Sequence, residues 1–229
     1  MHATVDPAHI AIRARNVTLS LGTTEILKGI DLDIHKGESL AILGASGSGK
    51  SSLMAVLSGL EQASGGTVTV AGVDFGSLGE DALARARRGR IGIILQSFHL
   101  LPTMTALENV AVPLELAGRA DPFARAAEEL AAVGLGHRTD HYPTQLSGGE
   151  QQRVAIARAM APAPEILFAD EPPGNLDAST GASVIDLLFT RRQATGATLL
   201  IITHDPGLAE RCDRIVEMRD GRIVAERRP

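Results

Sequence analysis

SLAILGASGSGKSSL, residues 39–53, is the stretch that decides the fold of this chain. Its first five residues form an apolar run that is typical of a buried strand, and its last residues open a helix. Between them, residues 44–51 match the phosphate-loop pattern in full, in the strand-to-helix context that the pattern requires. The glycines let the backbone wrap around phosphate oxygens, and its N–H groups form a nest for an anion. The segment predicts a nucleotide-binding α/β domain.

The loop supplies the predicted phosphate ligands. Lys50 would reach the β- and γ-phosphates of a nucleotide, and the Ser51 hydroxyl would bind Mg²⁺. A glycine-rich turn without a ligand is the plain alternative, but it leaves the accompanying strand, helix, lysine and serine unexplained. The predicted nucleotide-binding residues of this segment are Gly44, Ala45, Ser46, Gly47, Ser48, Gly49, Lys50, Ser51 and Ser52.

The composition of the chain narrows the possible classes. Of its 229 residues, 44% are hydrophobic and 21% charged, and the net charge of −5 argues against a nucleic-acid partner. Nowhere do about 18 uncharged apolar residues follow one another, so we expect no membrane-spanning helix. The N-terminal stretch lacks the apolar core of a signal peptide. Cys212 is the only cysteine; it excludes an intrachain disulfide and is expected to pack as a small apolar residue. We expect a soluble cytoplasmic domain.

The first part of the chain has a strand-like pattern. HIAIRARNVTLSLG and EILKGIDLDIH alternate apolar and polar residues, and predict antiparallel strands with a break at Gly22-Thr23-Thr24. The helix after the phosphate loop is expected to bury Leu53, Val56, Leu57 and Leu60 on one face. GTVTVAGV then predicts an edge strand, and IGIIL predicts a buried strand.

From residue 97 to about residue 161 the pattern becomes helical, in segments punctuated by prolines. Strand-like runs return at EILFAD and ATLLIIT, with a helical stretch between them. DRIVEMRDGRIVAER predicts a closing hairpin that turns at Asp220-Gly221. The predicted fold is α/β, with a phosphate-loop (P-loop) core, a mostly parallel sheet and an N-terminal antiparallel β subdomain. An α-helical subdomain at approximately residues 97–161 is inserted in this core, and residues 1–229 form one domain.

Polar residues follow the core strands at positions that suit catalysis. Asp170 and Glu171 follow the apolar run ILFA, at the strand end where ligands bind in open α/β sheets. Asp170 would hold Mg²⁺ through water, and Glu171 would accept a proton from the attacking water. Gln96 and His204 also end strands: Gln96 could position Mg²⁺ and water, and His204 could donate to the γ-phosphate. Alone, the paired acids could equally begin a turn, and Gln96 and His204 would each be read first as a satisfied polar group at a strand end.

LSGGE, residues 146–150, precedes the helical run QQRVAIARA. The Ser147 hydroxyl and the backbone N–H groups at Gly148 and Gly149 suit a phosphate anion at a helix N-terminus. The residues themselves do not say whose phosphate is bound.

Two further clusters are weaker candidates. His137 and His141 could chelate a metal, but their turn-like segment offers no additional sulfur or imidazole ligand, so a solvated loop is favoured. A basic run is most simply a solvated face, although it could contact an anionic membrane surface or a partner. It consists of Arg85, Arg87, Arg88 and Arg90.

Taken together, the motifs resemble those of the nucleotide-binding subunits of ABC (ATP-binding cassette) transporters, over essentially the whole chain and in the family's order. GASGSGKS resembles the Walker A motif, ILFADE the Walker B motif, and LSGGE the family-specific signature. Gln96 resembles the Q-loop, His204 the H-loop, and Asn175-Leu176-Asp177 the D-loop. The resemblance implies an ABC ATPase fold that binds ATP and Mg²⁺ and hydrolyses ATP.

The resemblance also implies a second copy of the chain as partner. Ser147, Gly148 and Gly149 would contact the γ-phosphate held by the phosphate loop of that copy, and Asp177 would communicate across the interface. Two ATP molecules would then lie between the protomers of a head-to-tail dimer. Hydrolysis removes the γ-phosphate contacts, which exist in only one state, and lets the dimer open.

QSFHLLPTMTALENVAVPLELAG and FADEPPGNLD are similar to a branch of the family that includes the lipoprotein-release, MacB-type and YbbA-type ATPases, with the YbbA type nearest. This resemblance implies an integral membrane subunit that docks near Gln96 and residues 97–107. The chain would then lie in the cytoplasm on the inner face of the membrane. It would drive either transport or the transmission of force across the membrane.

Other functional classes remain open. Chromosome-maintenance ATPases of the same superfamily insert a long coiled coil between the phosphate loop and the signature, and the segment between Lys50 and Ser147 has no heptads. A second alternative is an ATP-binding regulatory module of a membrane complex with little turnover of its own. The complete set of catalytic residues argues against this alternative.

Two residues depart from the family's pattern. Pro173 stands where related chains usually carry Thr or Ser, which removes a hydroxyl and a backbone donor just before the D-loop. Leu21 stands where an aromatic residue, commonly Tyr, stacks on adenine, so it is expected to contact the base as an aliphatic side chain.

The contact at Leu21 predicts poor base selectivity. A stacked aromatic ring contributes about 1 kcal/mol beyond its buried area, and Leu21 cannot supply this contribution. The rate of steady-state GTP hydrolysis should therefore lie within about tenfold of the rate of ATP hydrolysis. Steady-state hydrolysis measured on both nucleotides tests this prediction, and a strong preference for ATP would contradict it.

Overall fold

The computed structural model describes residues 9–174 and 176–229. The described residues divide into two units, residues 9–87 with 198–229 and residues 88–174 with 176–197. In chain order, the strands and helices are β1 (Ile10–Leu21), β2 (Thr24–His35), β3 (Ser39–Leu43), α1 (Lys50–Leu57), β4 (Gly65–Val70), β5 (Val73–Asp74), α2 (Glu80–Arg87), β6 (Ile91–Ile94), α3 (Ala106–Leu116), α4 (Pro122–Ala132), α5 (Gly148–Met160), β7 (Ile166–Asp170), α6 (Ala178–Thr195), β8 (Thr198–Thr203), α7 (Pro206–Ala209), β9 (Arg214–Arg219) and β10 (Arg222–Arg227).

The first unit contains an antiparallel sheet with the strand order β2-β1-β4-β5. The predicted N-terminal antiparallel strands are therefore confirmed, with residues 22–23 as the turn between them. The buried side chains of β1 change from even to odd positions, from Ile12 and Ala14 to Val17 and Leu19. The register with β2 shifts between Ala14 and Val17, and Asn16 has a φ of 47° there. This bulge inserts one residue and keeps apolar side chains on the same face on both sides of it.

Parallel strands form the other sheet of the first unit. β3 pairs in parallel with β8 on one side and β9 on the other, and β9 pairs in antiparallel with β10. The buried strands β3 and β8 and the hairpin that turns at residues 220–221 are thus confirmed. The strands β3, β8 and β9 contribute buried apolar side chains to the core, and α1 contributes Leu53, Val56 and Leu57.

Three details of the first unit differ from the sequence prediction. Leu60 is 50% exposed and lies beyond the end of α1, because the helix stops at Leu57 and Gly59 turns the chain with a φ of 71°. β4 is not an edge strand, because the two-residue strand β5 pairs with it. The helix α2 was not predicted: its mostly charged sequence buries only Leu83, so it lacks an apolar stripe.

The second unit combines a parallel strand pair with helices. β6 pairs in parallel with β7, and the helices predicted between residues 97 and 161 appear as α3, α4 and α5. Thr105 caps α3 by accepting from the N–H of Glu108, whose carboxylate in turn accepts from the N–H of Thr105. β6 is only half-buried, not fully buried as predicted, because Ile91 and Ile93 remain partly accessible. The boundaries of the inserted helical subdomain stay a prediction.

The long helices determine whether the chain could cross a membrane by itself. Across residues 9–174 and 176–229, no helix combines enough length with enough apolar character to span a bilayer. The longest, α6, buries Val184, Ile185, Leu188 and Phe189 along one side.

A buried carboxylate joins two helices of the second unit. Glu129 of α4 is 2% exposed and accepts from Arg125 of the same helix and from Arg191 of α6. An isolated carboxylate would be costly at this depth, and the two guanidinium groups make its burial tolerable. Glu128 also binds Arg125, at 3.0 Å, but its side chain is 68% exposed.

Replacing Glu129 should destabilise the fold far more than replacing its neighbour. Glu129→Ala leaves Arg191 without its buried partner and should lower the free energy of unfolding by about 2–4 kcal/mol. Glu128→Ala, the matched control, should cost less than about 1 kcal/mol because its ion pair is solvated. Urea unfolding followed by circular dichroism measures both values, and equal losses for the two variants would contradict the prediction.

Candidate nucleotide-binding site

The phosphate loop connects β3 to α1 in the first unit. Gly47 and Gly49 have φ angles of 78° and 96°, in the left-handed region that side chains disfavour. Gly49 is the N-terminal cap residue of α1, and Leu53 donates its N–H to the Gly49 carbonyl at 2.8 Å. Two of the three predicted loop glycines therefore adopt a backbone conformation that glycine takes readily and other residues do not. The donors at the start of α1 suit an anion.

Lys50 lies along the inside of this loop. Its side chain is 8% exposed overall, and Nζ donates to the carbonyls of Gly44 and Ala45 at 2.8 and 2.9 Å. An ammonium group has three donors, so these two bonds hold the cation in the loop and leave capacity for a phosphate oxygen. The positive charge is thus oriented by the loop's own backbone.

The closing hairpin holds the loop from outside. Gly221 donates its N–H to the Ser48 carbonyl at 3.1 Å and accepts from the N–H of Lys28 at 2.9 Å. A Cβ at Gly221 would lie 2.2 Å from the Ile26 carbonyl oxygen, and one at Gly44 would lie 2.4 Å from that of Met218. The sequence predicted Gly221 only as a turn residue. Its role against the phosphate loop depends on a long-range contact that periodicity does not reveal.

A cleft of about 260 Å³ lies between this loop and the hairpin. Residues 43–48 form one wall and residues 217–220 with Val224 the other. Ser48 is 6% exposed, and no hydrogen-bond partner is found for its hydroxyl among the described residues.

The other predicted residues of the first unit are accessible. Ser51 is exposed in the first turn of α1, with Ser52 half-buried beside it. His204 is exposed and follows β8 directly, and Leu21, the last residue of β1, is 55% exposed. The first unit therefore carries the whole phosphate loop and the predicted residues Leu21 and His204.

The second unit brings Gln96, Asp170 and Glu171 to one edge of its strand pair. Ile94 of β6 pairs with Ala169 of β7 in parallel register, so the residues that follow these strands leave from the same end. A Cβ at Gly174 would lie 3.0 Å from the Gln96 carbonyl oxygen, so the segment that follows β7 passes close to the backbone of Gln96. Glu171 has a φ of 46°, and its carbonyl accepts from the N–H of Gly174 at 2.7 Å.

Two side chains outside the predicted set of site residues bind the backbone of the segment after Gln96. Phe98 and His99 have φ angles of 59° and 47°, and Arg158 of α5 donates to their carbonyls at 2.7 and 2.6 Å. Burial lowers the pKa of Arg158. The fully buried Asn109 of α3 accepts from the Leu101 N–H at 2.8 Å and donates to the carbonyl of the same residue. An isolated arginine or asparagine inside a helical pattern carries no signal for such bonds.

Ser147 of the signature segment is the N-terminal cap of α5. Its hydroxyl accepts from the Glu150 N–H at 3.3 Å and donates to Glu150 Oε2 at 2.8 Å. The Ser147 N–H donates to the same oxygen at 2.8 Å, which completes a capping box. These bonds from the backbone and hydroxyl of Ser147, opposed by desolvation and assisted by Arg138, hold the pKa of Glu150 below its usual value.

The signature glycines allow close packing of α5 against the start of α6. A Cβ at Gly149 would lie 2.5 Å from Thr180 Cγ2, whereas one at Gly148 would lie 3.1 Å from Leu176 Cδ2. Asp177 caps α6 by accepting from the N–H groups of Ser179 and Thr180 at 3.1 and 3.0 Å. Hydrogen bonds from these two residues place the pKa of Asp177 far below its usual value. Asn175 of the predicted D-loop lies outside the described residues.

The remaining candidates are the two histidines, Cys212 and the basic run. Within the described ranges, no group of three or more His, Cys, Asp and Glu side chains could hold a metal ion, and His141 Nε2 lies 3.0 Å from Arg138 Nη1. Cys212 is 3% exposed, which confirms that it packs as a small apolar residue. Of the basic run, Arg90 binds Glu165 at 2.9 Å.

Comparison with known proteins identifies the class of protein that this fold and loop define. A family model described as "ABC transporter" matches residues 27–174. The chain is 45% identical over 226 residues to the uncharacterized ABC transporter ATP-binding protein YbbA of Escherichia coli K12, covering 96% of this chain and 99% of YbbA. It is 52% identical over 206 residues to the lipoprotein-releasing system ATP-binding protein LolD of Anaeromyxobacter dehalogenans, covering 89% of this chain and 86% of LolD.

A solved structure agrees with these relatives. The dimeric post-hydrolysis state of the ATP-binding cassette MJ0796, bound to ADP and Pi, matches with a TM-score of 0.87 and 37% identity, covering 95% of this chain and 98% of that one. This chain belongs to the ABC transporter family. The α/β ABC ATPase fold, the YbbA-like and lipoprotein-release branch and the ABC-type ATP hydrolase class that the sequence predicted are confirmed.

The packing at Gly149 predicts a steric effect that a second substitution can repair. Gly149→Ala should lower the free energy of unfolding by about 1–3 kcal/mol because its Cβ meets Thr180 Cγ2, which a β-branched residue in a helix cannot easily move. Thr180→Ser removes that methyl group and should restore most of the stability of the double variant. The loss is measured by urea unfolding.

Gly136→Ala is the control, because its Cβ would make an ordinary 3.4 Å contact with Ala131. A double variant as unstable as Gly149→Ala alone would show that the steric explanation is wrong.

Proposed function

We propose that this chain is the Mg²⁺-dependent ATP-hydrolysing subunit of a membrane transport complex, and that two copies close around two ATP molecules. The observation that carries the proposal is the presence of two phosphate-suited backbone arrangements in one chain. One is the glycine loop around Lys50, and the other is the capped start of α5 at Ser147. The dimeric MJ0796 cassette bound to ADP and Pi supports the same arrangement.

The first unit would hold the nucleotide itself. Backbone N–H groups of the phosphate loop would bind the β-phosphate, and Lys50 would bind the β- and γ-phosphates. Its two bonds to the loop carbonyls, at 2.8 and 2.9 Å, orient its ammonium group beforehand, so little rotamer freedom remains to be lost on binding. Leu21, more than half exposed, would contact the base.

The residues predicted for Mg²⁺ carry the ligand types that the ion prefers. Ser51, Gln96 and Asp170 would supply a hydroxyl, an amide carbonyl and a carboxylate, which is the all-oxygen set that Mg²⁺ prefers. The ion, when bound, neutralises charge on the β- and γ-phosphates. Glu171 would accept the proton of the attacking water, and His204 would donate to the γ-phosphate.

The second copy would complete each site. Ser147, Gly148 and Gly149 would bind the γ-phosphate of the partner's ATP through the hydroxyl and the N-terminal N–H groups of α5. Asp177, which caps α6 beside the signature glycines, would carry the communication between copies. Loss of the γ-phosphate would remove contacts made only in the closed state and favour opening.

The membrane partner would dock on the segment that follows Gln96. Leu101 is 41% exposed there, and Arg158 and Asn109 hold the surrounding backbone, so the segment offers an apolar contact on a fixed frame. Bound to that partner, the chain would lie on the cytoplasmic face of the membrane. The same ATP-binding site would drive either transport or the transmission of force across the membrane.

Glu171→Gln should separate ATP binding from hydrolysis. Loss of the general base should lower phosphate release by more than about a hundredfold while ATP still binds, so an ATP-bound dimer should accumulate. Phosphate release and sedimentation with Mg²⁺-ATP measure the two effects. Glu115→Gln, on the exposed side of α3, is the control and should match wild type in both.

The regulatory alternative predicts different results. If wild-type protein released no phosphate even with its membrane partner present, and Glu171→Gln stayed monomeric with ATP, the hydrolytic dimer would be excluded.

A further inference from the structure

The carboxylate of Glu150 lies next to the hydroxyl that is proposed to meet a phosphate. Glu150 Oε2 accepts both the N–H and the hydroxyl proton of Ser147, each at 2.8 Å. A serine has only one hydroxyl proton. The carboxylate and an incoming γ-phosphate therefore compete for it, and the two anions also repel each other across the same few ångströms.

Arg138 occupies the position that relieves both problems. Its Nε donates to Glu150 Oε1 at 3.1 Å, on the carboxylate oxygen that Ser147 does not use. The pair is partly shielded, with 36% of the Arg138 side chain and 15% of the Glu150 side chain exposed. Arg138 also lies 3.0 Å from His141 Nε2, in the loop that precedes α5. Among the described residues, the capping box of α5 consists of bonds between Ser147 and Glu150 and does not include Arg138.

We propose that Arg138 is a positioning residue for Ser147. By pairing with Glu150, it weakens the hold of that carboxylate on the serine hydroxyl and cancels the negative charge that the γ-phosphate of a second copy's ATP would otherwise meet. The inference rests on the proposed function, because it concerns how one copy receives the nucleotide of the other. It assigns Arg138 no contact with the chain's own nucleotide.

Neutralisation of Glu150 by Arg138 predicts an effect of charge that helix capping alone does not predict. Glutamine at position 150 can still complete the capping box, since Gln and Glu both serve at this position. Removing the Arg138 charge should therefore harm the dimer only while residue 150 is a carboxylate. Because a head-to-tail dimer contains two such contacts, a threefold loss at each would become about a tenfold loss in the dimer dissociation constant.

The experiment measures the dimer dissociation constant by analytical ultracentrifugation in Mg²⁺-ATP, in a Glu171→Gln parent that does not turn over. Arg138→Met should raise the constant about tenfold, and Arg138→Lys should stay within about threefold of the parent. Arg138→Met combined with Glu150→Gln should return to within about threefold. The gap between Arg138→Met and the parent should narrow as salt rises from about 0.05 M to 0.5 M.

His141→Ala is the matched control, because it removes the other neighbour of Arg138 and leaves the ion pair in place. It should dimerise as the parent does. Binding of a fluorescent ATP analogue to dilute monomer, and thermal unfolding, should be unchanged in all variants.

Failure of the role of Arg138 and failure of the ATP-dependent dimer give different results. Parent-like dimerisation of Arg138→Met, or a defect that Glu150→Gln does not repair, overturns the role of Arg138. A parent that fails to dimerise with ATP overturns the proposed function itself.

Discussion

The whole arrangement depends on backbone being packed against backbone around the phosphate loop. The loop can direct its N–H groups towards an anion only if its glycines take left-handed conformations, and only if its outer side is held. Gly221 meets the second condition, because it bonds to both Ser48 and Lys28 and leaves no room for a side chain beside Ile26. This contact joins the closing hairpin to the loop that connects β3 with α1.

Much of the fold follows from periodicity and turn chemistry. The alternation in β1 and β2 and the helical pattern of α3 to α5 indicated the correct elements because one face of each is buried. The apolar runs of β3 and β8 did so because nearly all of their residues are buried. α2 was missed because its charged sequence contributes only Leu83 to the core. The end of α1 was placed too late because Gly59, and not the hydrophobic pattern, stops the helix.

The residues of the candidate site also divide into those that the sequence predicts and those that it does not. Motif residues could be selected because their chemistry requires particular residue types at fixed spacing. The supporting residues Arg138, Asn109 and Arg158 could not, because they bond to a carboxylate or to backbone groups that lie 12, 8 and 60 positions away along the chain. The signature itself has two roles that a motif does not distinguish. Ser147 caps a helix, and Gly149 allows that helix to approach α6.

The two bonds from Arg158 to the carbonyls of Phe98 and His99 have a mechanical consequence. Arg158 lies near the end of α5, and Ser147 caps its beginning, so the helix spans roughly 16 Å between them at about 1.5 Å per residue. A helix of this length is stiff. Arg158 therefore ties the backbone of residues 98–99 to the same helix whose first turn carries the signature serine.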